Sequence, residues 1–194
     1  RITRKLTYLQ WDWIIRCIEK KAMDDPAYER HLFLMSVLYL LGLRISEVSE
    51  TKGRIPTMGD FVRDQQGLWW FQTVGKGNKF REIAVPDDLL LALKRFRLSL
   101  GLSALPFRAE QTPLLPKQRG QGGLGTRQVR HLVQYTFDLA IDAFRDAGEE
   151  HEALDLSQAT VHWLRHTAIS LDVTHRPQEH VRADVGHENP SVTA

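Results

Sequence analysis

The stretch Leu68-Trp69-Trp70-Phe71, followed by Gly75-Lys76-Gly77-Asn78 and then by Phe80–Val85, decides the architecture of this chain. Aromatic and β-branched runs suit the pleated, half-buried surface of a strand. A short Gly/Asn segment between two such runs supplies the backbone freedom of a tight reversal. The stretch therefore reads as an antiparallel hairpin with Lys76 in its turn. Phe61–Arg63, just upstream, can add a third strand.

Outward from the hairpin the pattern becomes helical. Trp11, Ile14, Ile15 and Ile18 recur at i, i+3, i+4 and i+7 behind Thr7, which can cap them. Asp25-Pro26 opens a second helix running to Leu41, where Gly42 stops it, and Ser46-Glu47 begins a short helical stretch. Helical patterning returns at Asp87–Leu100, at Arg127–Ala147 behind a Thr126 cap, and again at Val161–Val173 and Gln178–Val185. Gly101–Gly125 holds three Pro and five Gly and reads as a long loop. No repeat, low-complexity tract or domain boundary interrupts residues 1–194. The expectation is one mainly α domain with a small antiparallel β-sheet, an α+β fold.

The bulk composition narrows the function. The 194 residues, 42% hydrophobic and 26% charged, suit one globular core. The longest apolar run, Leu32–Leu43, is broken by Ser36 and Gly42 and is too short to span a bilayer. The start has no secretory pattern, and the lone Cys17 has no internal partner, so a reducing cytoplasm is expected. Arg1 in place of Met predicts a chain cut from something longer.

Net charge is only +2, so its distribution matters more than its sum. Basic residues gather at Lys76–Arg81, Lys94–Arg97 and Lys117–Arg130, acidic ones at Asp24–Glu29, Asp87–Asp88 and Asp146–Asp155. That segregation permits one basic face toward nucleic acid. Thr126, Arg127 and Arg130 open a helix whose amides and side chains can grip a DNA backbone. The same residues also describe a plain capped surface helix.

Three short segments carry chemistry. In Gly42-Leu43-Arg44-Ile45-Ser46-Glu47 the arginine follows a helix-ending glycine, and a carboxylate three residues on can hold its guanidinium. Alone, that is also an ordinary surface ion pair. In His162-Trp163-Leu164-Arg165-His166-Thr167, helical spacing turns His162 and Arg165 toward one site, where an imidazole and a guanidinium make a phosphate cradle. A metal reading of His162 and His166 lacks the glutamate that should follow the first histidine, since Trp163 stands there. In Gly186-His187-Glu188-Asn189-Pro190, His187 follows a helix-stopping glycine.

Taken in order, Arg-Ile-Ser-Glu, Gly-Lys-Gly-Asn-Lys on a hairpin, His-x-Leu-Arg-His and Gly-His resemble the tyrosine recombinase or phage integrase family, from Leu6-Thr7 to the end of the chain. The resemblance implies that family's catalytic-domain fold. It implies Arg44, Lys76, His162, Arg165 and His187 as catalytic residues, with Glu47 as the acidic neighbour supporting Arg44. Lys79 and Arg81 compete with Lys76 for the acid role; Lys76 is favoured by its place in the turn, and the others are expected on DNA phosphates or in solvent. The implied activity is site-specific DNA strand cleavage and rejoining through a 3′-phosphotyrosine, on double-stranded DNA, as a homotetramer on synapsed duplexes. Neither a cofactor nor a metal is implied. Charge building on nonbridging phosphate oxygens needs cationic donors where no metal serves, and the leaving 5′ oxygen needs a proton. A type IB topoisomerase shares such a pocket, and a non-catalytic DNA-binding remnant is a further alternative.

The chain departs from the family in four places. The nucleophilic tyrosine is expected beyond Ala194, because Tyr8, Tyr28, Tyr39 and Tyr135 lie in the wrong segments. The family's N-terminal core-binding domain is not in these residues. A Thr51–Gly59 insertion follows the first arginine motif, and the usual glycine near Thr174–Pro177 is lacking. Both of these are expected to be peripheral to the pocket.

Overall fold

The computed structural model describes residues 5–159 together with Trp163 and Leu164. Helix α1 (Tyr8–Asp24) starts behind Thr7, whose hydroxyl accepts the Gln10 amide while the Gln10 side chain accepts the Thr7 amide. This reciprocal box satisfies donors that a helix start leaves open. Asp25 caps a single 3₁₀ turn at Pro26–Tyr28, which leads into α2 (Glu29–Leu41). Gly42 ends α2 in the left-handed region, at φ 63°, where a Cβ would be strained.

Helix α2 is the axis of the core. Residues 32–39 are buried in an unbroken run, and α1, α4 and α5 enclose them. Trp11 of α1 stacks on Tyr39 at 3.7 Å, and Phe33 stacks on Phe96 of α4 (Asp87–Ser99) at 4.6 Å. Helix α5 (Thr126–Asp146) buries Val129, Val133, Phe137, Ala140 and Phe144 along one face, the repeat its sequence predicts.

The sheet is a meander, β1 (Phe61–Arg63), β2 (Trp69–Val74) and β3 (Phe80–Ala84), in the order β1-β2-β3 and antiparallel throughout. Phe71 pairs with Phe61 on one side and Ile83 on the other, and all three face the core. Thr73 pairs with Arg81 and Val74 with Phe80, which fixes the register of the turn.

Two features depart from the sequence reading. Thr126 is the first residue of α5 rather than its cap; Gly125 holds the cap position, and no side chain bonds there. Helix α6 (Glu150–Leu156) was not expected, because only Ala153 and Leu156 mark its buried face among acidic neighbours. It docks through Gln10, fully buried, whose side-chain amide donates to Asp155 at 2.6 Å. The long loop is ordered by Arg97, also buried, which donates to the Ser103 carbonyl and pairs with Glu110 at 2.9 Å. The expected helices at Val161–Val173 and Gln178–Val185 lie outside the described residues, apart from Trp163 and Leu164, which are helical and buried.

Candidate active site

The site grows from the end of α2. After Gly42 the chain reverses into the short helix α3 (Ile45–Val48), with Arg44 at its cap position. Glu47, in the third position of α3, accepts the Arg44 backbone amide at 2.9 Å. Its side chain is 1% exposed, so its negative charge has almost no water to stabilise it. The compensation comes from the hairpin. Arg81 of β3 donates to both carboxylate oxygens at 2.9 Å, and the Thr73 hydroxyl of β2 adds a bond at 3.1 Å. The Arg44 guanidinium stands further off, at 3.9 Å from Glu47, and stays substantially exposed.

Glu47 is therefore a node linking the Arg44 turn to the hairpin. Glu47 meets Arg44 as expected, through its backbone amide at 2.9 Å and its guanidinium at 3.9 Å, and it has in addition a closer cationic partner in Arg81 that the sequence reading did not name. The expectation for Arg81, on DNA phosphate or in solvent, is corrected. Its side chain is 4% exposed and committed inward, because it alternates with Phe80 and Glu82 and shares the core-facing side of β3 with Ile83.

The turn of the hairpin presents Lys76. Val74 and Phe80 are the last cross-strand pair, and the Gly75 amide donates to the Lys79 carbonyl at 2.8 Å. Lys76, Gly77 and Asn78 complete the turn, with Gly77 at φ 71° and Asn78 at φ 58°. Lys76 and Lys79 are exposed. Gly75 lies where the base of the turn meets the Arg44 side chain. A Cβ built there would stand 3.8 Å from an Arg44 guanidinium nitrogen and 3.7 Å from Arg81 Nε. The structure thus places Arg44 against the base of the turn that carries Lys76.

The start of α5 is tied to the same region. Glu50 pairs in a parallel bridge with Gly125, its amide donates to the Leu124 carbonyl, and its carboxylate accepts the Gly123 amide at 2.9 Å. Arg127 and Arg130 project into solvent from the first turns of α5, while Thr126 is half-buried. His162, Arg165, His166 and His187 lie outside the described residues.

The Thr51–Gly59 insertion, expected to be peripheral to the pocket, lines a cleft that it shares with residues flanking Arg44 and Lys76. Thr51 and Arg54 exchange backbone hydrogen bonds at 2.9 and 3.1 Å, leaving Lys52-Gly53 at the tip of a tight turn. That turn forms one wall of a cleft of about 640 Å³, and Ser46, Gly75 and Asn78 contribute to the rest. No sequence signal pointed to this cleft, because the turn and the hairpin meet only in the fold.

Comparison with known proteins gives a family and a fold. The chain matches the phage integrase family over residues 6–194. No curated protein matches it. Among solved structures it is similar to the XerH site-specific recombinase bound to palindromic difH substrate, at TM-score 0.64 and 19% identity, covering 100% of this chain and 49% of that one. It is similar to the Tn1549 transposon integrase in complex with circular intermediate DNA, at TM-score 0.59 and 20% identity, covering 100% and 62%. A lambda integrase dimer bound to a COC′ core site gives TM-score 0.56 and 14% identity, covering 99% and 60%. The chain thus spans roughly half to three-fifths of the length of these structures, and at such identities the likeness is one of fold.

Proposed function

This chain belongs to the phage integrase family, and from that membership we propose that it is the catalytic part of a site-specific DNA recombinase. The observation that carries the proposal is the buried Glu47–Arg81 pair, which locks the Arg44 turn to the hairpin bearing Lys76. Two exposed cations, the Arg44 guanidinium and the Lys76 ammonium, are then carried on segments that the pair ties together.

The chemistry follows from those two groups. The family's tyrosine hydroxyl attacks a DNA phosphodiester: its O–H bond breaks, the proton passes to solvent, and its oxygen bonds to phosphorus. Negative charge grows on the nonbridging oxygens, where Arg44, with Arg165 and His162, supplies charge-assisted donors. The bond to the 5′ oxygen breaks, and Lys76 gives that oxygen its proton. The product is a 3′-phosphotyrosine and a free 5′ hydroxyl. Because the phosphotyrosine keeps the bond energy, attack by a second 5′ hydroxyl rejoins the strand without a nucleotide cofactor. Arg127 and Arg130 of α5, with Lys79, contact the flanking backbone, and a homotetramer on two synapsed duplexes is the assembly such exchange requires.

The test is covalent capture. The chain extended through its tyrosine, given a suicide duplex that loses the cleaved fragment, should form a denaturant-resistant adduct. Strand transfer between two marked duplexes should accompany it. Arg44→Ala should slow adduct formation by about two orders of magnitude or more, the usual result of losing a transition-state donor, with a smaller change in DNA affinity. Adduct formation at the parental rate in Arg44→Ala would remove Arg44 from the mechanism.

A further inference from the structure

The cleft lined by Ser46 and Gly75 has a second wall that the strand-cleavage chemistry does not use. Its tip is Lys52-Gly53, held by the paired backbone bonds of Thr51 and Arg54. Lys52 is exposed, and among the described residues no carboxylate pairs with it. Arg54, by contrast, is tied back to Asp60 at 3.4 Å, and Asp60 accepts the Thr57 amide at 2.9 Å. The base of the insertion is therefore braced, while its tip keeps a positive charge. Gly53, at φ 87°, meets nothing within 4 Å of a built Cβ, so the tip is open to a large neighbour. Among the described residues the Lys52 and Gly53 amides also meet no backbone acceptor.

We infer that the Thr51–Arg54 turn is a second phosphate clamp. Lys52 and the tip amides hold the sugar–phosphate backbone immediately beside the phosphate addressed by Arg44. This rests on the proposed DNA-cleaving function and extends it to residues outside the four motifs. Charge favours this occupant: Arg44 and Lys52 both present cations, while Asp60 is engaged by Arg54 and the Glu50 carboxylate by the Gly123 amide. Continuity favours it as well, since Ser46 and Gly75 border the cleft and are sequence neighbours of Arg44 or Lys76. A turn offering amides and one ammonium recognises a backbone without reading bases, so the clamp sets position rather than sequence preference.

Salt dependence of binding tests this directly. Each neutralised phosphate contributes about 0.9 to the slope of log affinity against log salt on duplex DNA. In the full-length protein, Lys52→Ala should lower that slope by about 0.9, by a similar amount on duplexes of different sequence. Between about 50 mM and about 200 mM salt the parent should therefore lose roughly threefold more affinity than the variant. Lys52→Arg should restore the slope, and Lys20→Ala, an exposed lysine of α1, should leave it unchanged. A parental slope in Lys52→Ala, or an equal drop in Lys20→Ala, overturns the clamp while leaving the recombinase reading intact. Absence of salt-dependent duplex binding by the parent overturns both.

Discussion

Removing the Arg81 side chain tests whether the Glu47 node holds the site together. Glu47 is 1% exposed and takes two bonds of 2.9 Å from Arg81, one of 3.1 Å from Thr73 and one of 2.9 Å from the Arg44 amide. Arg81→Met keeps most of the volume but leaves a buried carboxylate with neutral donors and a guanidinium 3.9 Å away. Loss of one member of a buried pair costs about 3–5 kcal/mol. For a domain of this size each kcal/mol moves Tm by about 2–4 °C, so a fall of roughly 6–20 °C is expected. Glu47→Gln takes the carboxylate away from the buried Arg81 guanidinium and should cost about 3 kcal/mol. Combining the two removes both charges, and the double variant should lose only about 1–2 kcal/mol, mostly from weaker bonds to Thr73 and the Arg44 amide. Denaturant unfolding of the four proteins gives the coupling energy directly. Costs that add to within about 0.5 kcal/mol would show that the pair does not act as a unit. In the extended enzyme Arg81→Met should also slow adduct formation, because the stranded carboxylate draws the Arg44 guanidinium away from the phosphate.

Further outcomes follow from other parts of the structure. Lys76→Ala should cut cleavage of ordinary DNA by about 10²–10⁴-fold, the usual worth of a general acid. Sulfur at the bridging 5′ position should restore most of that rate, since a thiolate leaves without a proton, whereas Arg44→Ala should not recover. Sulfur rescue of Lys79→Ala with none for Lys76→Ala would move the acid along the hairpin. Gly59→Ala should destabilise by about 2 kcal/mol or more, because its Cβ would meet the Glu110 backbone nitrogen at 2.5 Å and oxygen at 2.6 Å; unchanged urea unfolding would refute this. His31, on α2, is held down to about 4 by burial and then by Arg30, below its ordinary 6.5. The unfolded chain therefore binds the proton more tightly, so stability is full above about pH 6.5, falls as pH drops toward 4, and is flat below. Allowing for its partial exposure the loss should be about 1–2 kcal/mol, and it should vanish in His31→Phe when urea midpoints are compared across that range.

Much of the fold was legible because its signals are local. The Thr7 cap, the stop at Gly42 and the strands flanking Gly75–Asn78 each depend on residues near one another in the chain, and the structure places them where the sequence did. Helix α6 was not legible, because it forms on tertiary contacts: two buried apolar residues and a bond from Gln10, far away in sequence, outweigh its acidic surface. The loop at Gly101–Gly125 reads as irregular and is irregular, yet Arg97 makes it part of the packed domain.

The site separates local from nonlocal information more sharply. Arg44 and Lys76 could be read from motifs, since a helix-ending glycine and a glycine-flanked turn fix their surroundings. The function of Glu47 and Arg81 could not, because their bond spans the α3–β3 separation and neither motif contains both. One signal was nevertheless present. Strand alternation puts Arg81 on the same face as Ile83, and Thr73 on the same face as Phe71, so an inward arginine was implied by the hairpin itself. A buried guanidinium requires a carboxylate, and a glutamate that reaches back to cap its own short helix is already turned inward. The Lys52 turn offers no counterpart to this reasoning: it faces solvent, no buried group demands it, and only the fold sets it across a cleft from the hairpin.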